Sequence, residues 1–184
     1  MDKVVISVLG TDRPGIVAAV SGVLMKSRCN VEDVSQTILQ GEFVGILIAS
    51  VPKGTSQEVL RGELERSLDP LGLRVLLKRL EPHDPPVPAK ESEPFVVVTT
   101  GPDRLGLVAG ITSVMARFDV NITSLKAAFR GGDDPHGNTM IYEVDLPTAV
   151  DRGTFLTALQ DEAHALGLEL SVQHRDIFEA IHRI

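Results

Sequence analysis

At 184 residues, with 43% apolar residues but no tryptophan and a single tyrosine, the chain has room for two domains of roughly 80–90 residues, with aliphatic cores. Its net charge of −7 includes no Lys/Arg stripe: residues 1–80 carry 10 basic and 9 acidic groups, residues 95–184 carry 7 and 12. This disfavours direct DNA or RNA binding, so any effect on transcription is expected to run through a protein partner. One cysteine, Cys29, excludes an intrachain disulfide; no apolar run approaches the roughly 20 residues that span a bilayer; the start Met1-Asp2-Lys3 lacks a signal-peptide pattern. A soluble, cytoplasmic protein is expected.

Taken in chain order, the apolar run Val4–Leu9 reads as a strand and Pro14–Lys26 as a helix with Ile16, Val17, Val20, Val23 and Leu24 on one face. Asn30–Gln40 and Phe43–Val51 read as a hairpin about a Gly41-Glu42 turn. Pro52-Lys53-Gly54-Thr55 breaks the chain before a second helix, Ser56–Leu68, with Val59, Leu60, Leu64 and Leu68 inward. Gly72 ends that turn and Leu73–Leu80 is a fourth strand, which gives the order βαββαβ. Residues 81–94 hold five of the eleven prolines and almost nothing to bury, the composition of a stiff linker. The same order then returns: strand Phe95–Thr100, helix Leu105–Phe118, strands Val120–Phe129 and Asn138–Leu146, helix Arg152–Leu166, strand Leu168–His174. Ile177, Phe178, Ile181 and Ile184 recur at helical spacing in a tail that needs a surface to dock on.

The repeat is sharpest at one stretch. Gly10-Thr11-Asp12-Arg13-Pro14-Gly15-Ile16-Val17-Ala18 recurs 91 residues later as Gly101-Pro102-Asp103-Arg104-Leu105-Gly106-Leu107-Val108-Ala109, and Asn30 recurs at the same offset as Asn121. Each copy turns from a strand into a helix at glycines. The free amides of a helix's first turn and the positive end of its dipole favour a carboxylate or phosphate. Gly15 and Gly106 carry no side chain to keep a ligand away. Pro14 is placed at the first helical position, where its fixed φ suits the helix; Leu105 at the same place predicts a less preorganised second site.

A βαββαβ unit of this size with Asp-Arg-x-Gly-[Ile/Leu]-Val-Ala after its first strand and an Asn further on resembles an ACT domain. Two of them in tandem, residues 1–80 and 95–184 about the 81–94 linker, resemble the family of glycine cleavage system transcriptional repressors. The resemblance implies an α+β fold of two ferredoxin-like units, each an antiparallel four-stranded sheet with two helices on one face. It also implies an amino acid, glycine or serine, bound where two ACT units meet, a homodimer, a regulatory rather than an enzymatic role, and no cofactor. Carried over, the ligand residues are Gly10, Asp12, Arg13, Gly15, Ile16 and Asn30, with Gly101, Asp103, Arg104, Gly106, Leu107 and Asn121. The amides of Gly15-Ile16 and Gly106-Leu107 would take the carboxylate, and the Asn the amino group or carboxylate.

Each of these residues also has a purely structural reading. The glycines serve a tight turn, the aspartates cap or complement the helix dipole, the arginines are solvated, and the asparagines start a strand. Asp133, Asp134 and His136 read as a hairpin tip rather than a metal site, His164 and His174 as a solvated face, and Cys29 as a small core residue. An interaction module without a sensing role is the alternative to the amino-acid sensor.

Overall fold

The structure, a computed structural model, describes residues 2–80, 91–129 and 137–182, and the chain divides into two compact units, Met1–Val87 and Pro88–Ile184. Unit 1 runs β1 (Asp2–Thr11), α1 (Ile16–Lys26), β2 (Asn30–Leu39), β3 (Glu42–Val51), α2 (Gln57–Leu68), a 3-10 turn (Asp69–Leu71) and β4 (Arg74–Arg79). Its antiparallel sheet has the order β2-β3-β1-β4. Unit 2 repeats this as β5 (Ser92–Gly101), α3 (Leu107–Arg117), β6 (Asn121–Phe129), β7 (Asn138–Pro147), α4 (Arg152–Ala165) and β8 (Glu169–His174), in the order β6-β7-β5-β8. This is the expected α+β, ferredoxin-like architecture, built twice.

Period-two alternation builds each core. Val4, Ile6 and Val8 of β1 face Ile16, Val20 and Leu24 of α1 and Leu60, Leu64 and Leu68 of α2, all buried. Phe95 and Val97 of β5 meet Ile111 and Met115 of α3 and Phe155 and Leu159 of α4 in the same way. Arg28 and Asp119 take positive φ just past α1 and α3, and the amides of Cys29 and Val120 reach back to the Leu24 and Met115 carbonyls at 2.8 and 3.0 Å. These Schellman caps turn the chain straight into β2 and β6, and they account for Cys29 as a buried residue at the turn.

Several expected boundaries shift for identifiable reasons. The first hairpin turns at Gln40-Gly41, both with positive φ as a two-residue loop requires, so Glu42 belongs to β3. Pro14 does not open α1. Gly15, left-handed at φ 98°, is the N-cap, and Pro14 lies before it in the turn, so Leu105 replaces a turn residue and the second site loses no rigid first helical residue. Val59, expected inward, is exposed. Ser92–Pro94, read as linker, pair with β7. Pro94 is tolerated because β8 joins only at Phe95. Residues 81–90 of the expected linker and the Asp133, Asp134 and His136 tip lie outside the described residues. The C-terminal tail forms α5 (Arg175–His182), which packs against β5 and β8. Its Arg175 reaches Asp145 and Thr123 at 3.3 and 3.4 Å, while Ile177 stays exposed. His174 is not simply solvated, since its ring stands edge-on to Phe95.

Candidate functional site

At the two bends the glycines divide into two kinds. A Cβ on Gly10 would lie 2.9 Å from the Gly72 carbonyl oxygen and from Leu73 Cδ2. One on Gly101 would lie 2.7 Å from Leu168 Cδ2 and 3.0 Å from the Gly167 carbonyl oxygen. These two are glycines because the start of the neighbouring strand passes against them. Gly15 and Gly106 are different: φ is 98° and 89°, a left-handed conformation, and nothing lies within 4 Å of where a Cβ would stand.

Each left-handed glycine leads into a bare helix start. The Gly15 and Gly106 carbonyls accept from Ala19 and Gly110 at 2.9 and 2.8 Å and so open the two ladders. Neither N-cap makes a side-chain capping bond, and neither first turn holds an acidic residue. The hydrogen-bonded turns at Pro14-Gly15 and Leu105-Gly106 close onto the starts of α1 and α3, and among the described residues the other first-turn amides, up to Ala18 and Ala109, meet no acceptor. The Ile16 and Leu107 side chains are buried, which anchors those amides to the core. At unit 2 the stretch Asp103–Ala109 lines an open hollow. Such a turn presents fixed donors and a positive dipole end to a small anion.

The other expected residues are placed less uniformly. The Asp12 amide donates to the Gly41 carbonyl at 2.8 Å, tying the bend to the hairpin, while the side chains of Asp12 and Asp103 cap neither helix. Arg13 Nη1 donates to the Leu71 carbonyl at 3.2 Å, and Arg104 Nη1 lies 3.6 Å from a Cβ position on Gly167. Both arginines thus lean on the turn after the second helix of their unit, so Arg13 is tied down rather than merely solvated. Asn30 and Asn121 are exposed at the first positions of β2 and β6. Asn30 pairs with Ser50, which pairs with Lys3, whereas the bend begins at Gly10. Seven residues of strand separate those levels, about 23 Å. Within one unit the structure therefore does not bring Asn30 to the bend. The same register separates Asn121, opposite Asp145, from Gly101, opposite Asn138.

Two polar side chains near the second bend were not foreseen, Thr99 and Asn138, both buried. The signal was available at Thr99, which stands 91 residues after Val8, while the other inward positions of the two strands, Val4/Phe95 and Ile6/Val97, are apolar in both units. Among the described residues no group of three or more metal-ligating side chains comes together, and no helix is long and apolar enough to cross a membrane.

The ACT domain model matches residues 2–78 and again residues 93–173. The chain belongs to the ACT domain family. A UPF0237 protein of Methanosarcina acetivorans is 38% identical over 94 residues, half of this chain and 98% of that relative. The UPF0237 protein YjhC of Lactococcus lactis is 32% identical over 89 residues, 48% of this chain and 97% of the relative. Both relatives therefore match about one unit's length of the ACT pair. Among solved structures, an unknown protein from Galdieria sulphuraria superposes with a TM-score of 0.76 at 24% identity, covering 94% of this chain and 98% of that one. A candidate glycine cleavage system transcriptional repressor superposes with a TM-score of 0.62 at 23% identity, covering 94% and 96%. At these identities the two structures share the fold.

Proposed function

We propose that this tandem ACT protein senses a small amino acid, glycine or serine, and passes the signal to a protein partner, with control of transcription in amino-acid metabolism as one such output. The observation that carries the reading is the pair of bends, each with a helix start that no side chain caps, opening onto free space beside a left-handed glycine. The ligand carboxylate rests on the amides of Gly15-Ile16 and of Gly106-Leu107.

The asparagines enter from a second copy of the chain. β2 is an outer strand of its sheet and is exposed along nearly its whole length. If two β2 edges pair antiparallel about a two-fold axis, the Asn30 end of one lies level with the Leu39 end of the other, which is the level of the bend. A homodimer built this way completes a site that one unit leaves open. Ligand binding then changes the dimer's stability, and this is what a partner reads, because a ligand shifts only states that it binds differently. With a net charge of −7 the partner is a protein rather than nucleic acid. Calorimetry of the full chain with the twenty amino acids tests the reading; absence of binding at millimolar concentrations of all of them contradicts it.

One observation favours the alternative, a module that recruits partners without sensing. Leu9, Val44, Ile46 and Leu76 are exposed together on the sheet face of unit 1 opposite its helices. Partner binding that is unchanged by every amino acid would select it.

A further inference from the structure

Unit 2 departs from unit 1 at one end of its core. By register, Val8 opposite Gly45, Phe43 opposite Gly10 and Leu47 opposite Ile6 correspond to Thr99 opposite Met140, Asn138 opposite Gly101 and Tyr142 opposite Val97. In unit 1, Val8, Phe43 and Leu47 line a narrow apolar crevice that reaches Ile16 and Val17 at the start of α1. The matching place in unit 2 is the floor beneath Leu107 and Val108, and there the apolar residues have become polar ones.

Thr99 and Asn138 are fully buried, and among the described residues neither Thr99 Oγ1 nor either polar atom of the Asn138 side chain has a hydrogen-bond partner. The Tyr142 hydroxyl beside them is satisfied, donating to Met140 Sδ at 3.2 Å. Buried polar groups are nearly always paired, and two unpaired ones, diagonal to each other across β5 and β7 on the sheet face that the helices cover, point to a polar group that joins them from outside the chain. A hydroxyl and a carboxamide each donate and accept, so the group they suit is an uncharged one that does both. The charged residues of the bend, Asp103 and Arg104, are exposed and supply no buried counter-charge.

We propose that Thr99 and Asn138 form a polar subsite in unit 2 that receives the side-chain hydroxyl or carboxamide of a small amino acid whose carboxylate rests on the α3 amides. This subsite rests on the amino-acid reading of the bends and adds a difference between the two sites. The site at α3 selects an uncharged polar side chain, while the crevice at α1 accepts an aliphatic group.

Titration calorimetry on the full chain with L-serine and L-alanine separates the possibilities, using wild type, Thr99→Val and Thr99→Ser. Valine is the residue unit 1 carries at this position, so the first variant keeps the shape, and any unit 1 binding is common to all three proteins. The expected result is serine bound at least about tenfold tighter than alanine by wild type and by Thr99→Ser, and within about twofold of alanine by Thr99→Val. Equal binding of both amino acids by wild type, or a serine preference that survives Thr99→Val and Asn138→Leu, means that the subsite holds only water and overturns the proposal, while the carboxylate site stands. Binding of neither amino acid overturns the amino-acid reading and this proposal with it.

Discussion

Replacing Gly106 and Gly101 by alanine, one at a time, separates a glycine held for its conformation from one held for its neighbours. At Gly106 the new methyl meets nothing within 4 Å, so its cost is that of a left-handed alanine, about 1–2 kcal/mol. At Gly101 the methyl would sit 2.7 Å from Leu168 Cδ2 and 3.0 Å from the Gly167 carbonyl oxygen. The side chain yields but the carbonyl belongs to a turn, and overpacking of this kind costs about 1–3 kcal/mol. With a urea slope of about 2 kcal/mol per molar, a loss of about 1–2 kcal/mol lowers the midpoint of unit 2 unfolding by about 0.5–1 M. The two variants therefore look alike in stability and differ in binding. The Gly106→Ala methyl projects beside the free amides and lowers amino-acid affinity at this site by at least about tenfold, by blocking the carboxylate. Gly101→Ala, once folded, leaves the amides clear and the affinity near wild type. A Gly106→Ala protein with the urea midpoint and ligand affinity of wild type would refute both the conformational and the binding argument.

Tyr142 is the sole tyrosine, and burial pushes its phenol up to about 12, so the phenolate absorbance of the folded protein should stay flat through pH 10 and rise near 12. The stability tied to this neutral phenol is complete below the unfolded value of about 10 and is lost as pH rises through about 12, which pH-dependent urea melts will show. Asp151 caps α4 by accepting from Thr154 Oγ1 and the Thr154 amide at 2.6 and 2.8 Å, and these bonds hold its carboxyl below the usual range. Asp151→Ala should lower the melting temperature at neutral pH, and the gap to wild type should close as pH falls below the ordinary carboxylate range, where the cap is protonated. Asn30→Ala should leave the melting temperature of the ligand-free protein nearly unchanged, because Asn30 is exposed at the strand's first position, yet weaken amino-acid binding in calorimetry.

The parts of the fold that were legible in the sequence are those set by short-range physics. The three-to-four spacing of Ile16, Val20 and Leu24 fixes the buried face of α1, although Val17, expected on that face, is exposed, and the apolar run Val4–Leu9 marks a strand without saying which side turns inward. Ser56 and the glycine at 72 mark a helix start and a turn through local bonds and φ. What was not legible depends on tertiary register. Pro14 carries a helix-opening preference, but Gly15 in the left-handed region ends the turn and starts the helix after it. The motif presents Gly10 and Gly15 as equals, and only the approach of Gly72 and Leu73 separates the packing glycine from the open one. Asn30 looks close to the loop in sequence, yet β1 and α1 run in opposite directions and the strand register carries it to the other end of the sheet. Thr99 and Asn138 stand 39 residues apart, and only the pairing of β5 with β7 makes them neighbours.

The most direct test of the sensor reading is the amide spectrum of the isotope-labelled full chain, followed as glycine and serine are added to millimolar concentration. The predicted result is saturable, concerted shifts of the Gly15, Ile16, Gly106 and Leu107 amides that exceed those elsewhere in α1 and α3. Amides at both bends that do not move under saturating amino acid, while the rest of the spectrum shows a folded protein, would contradict it.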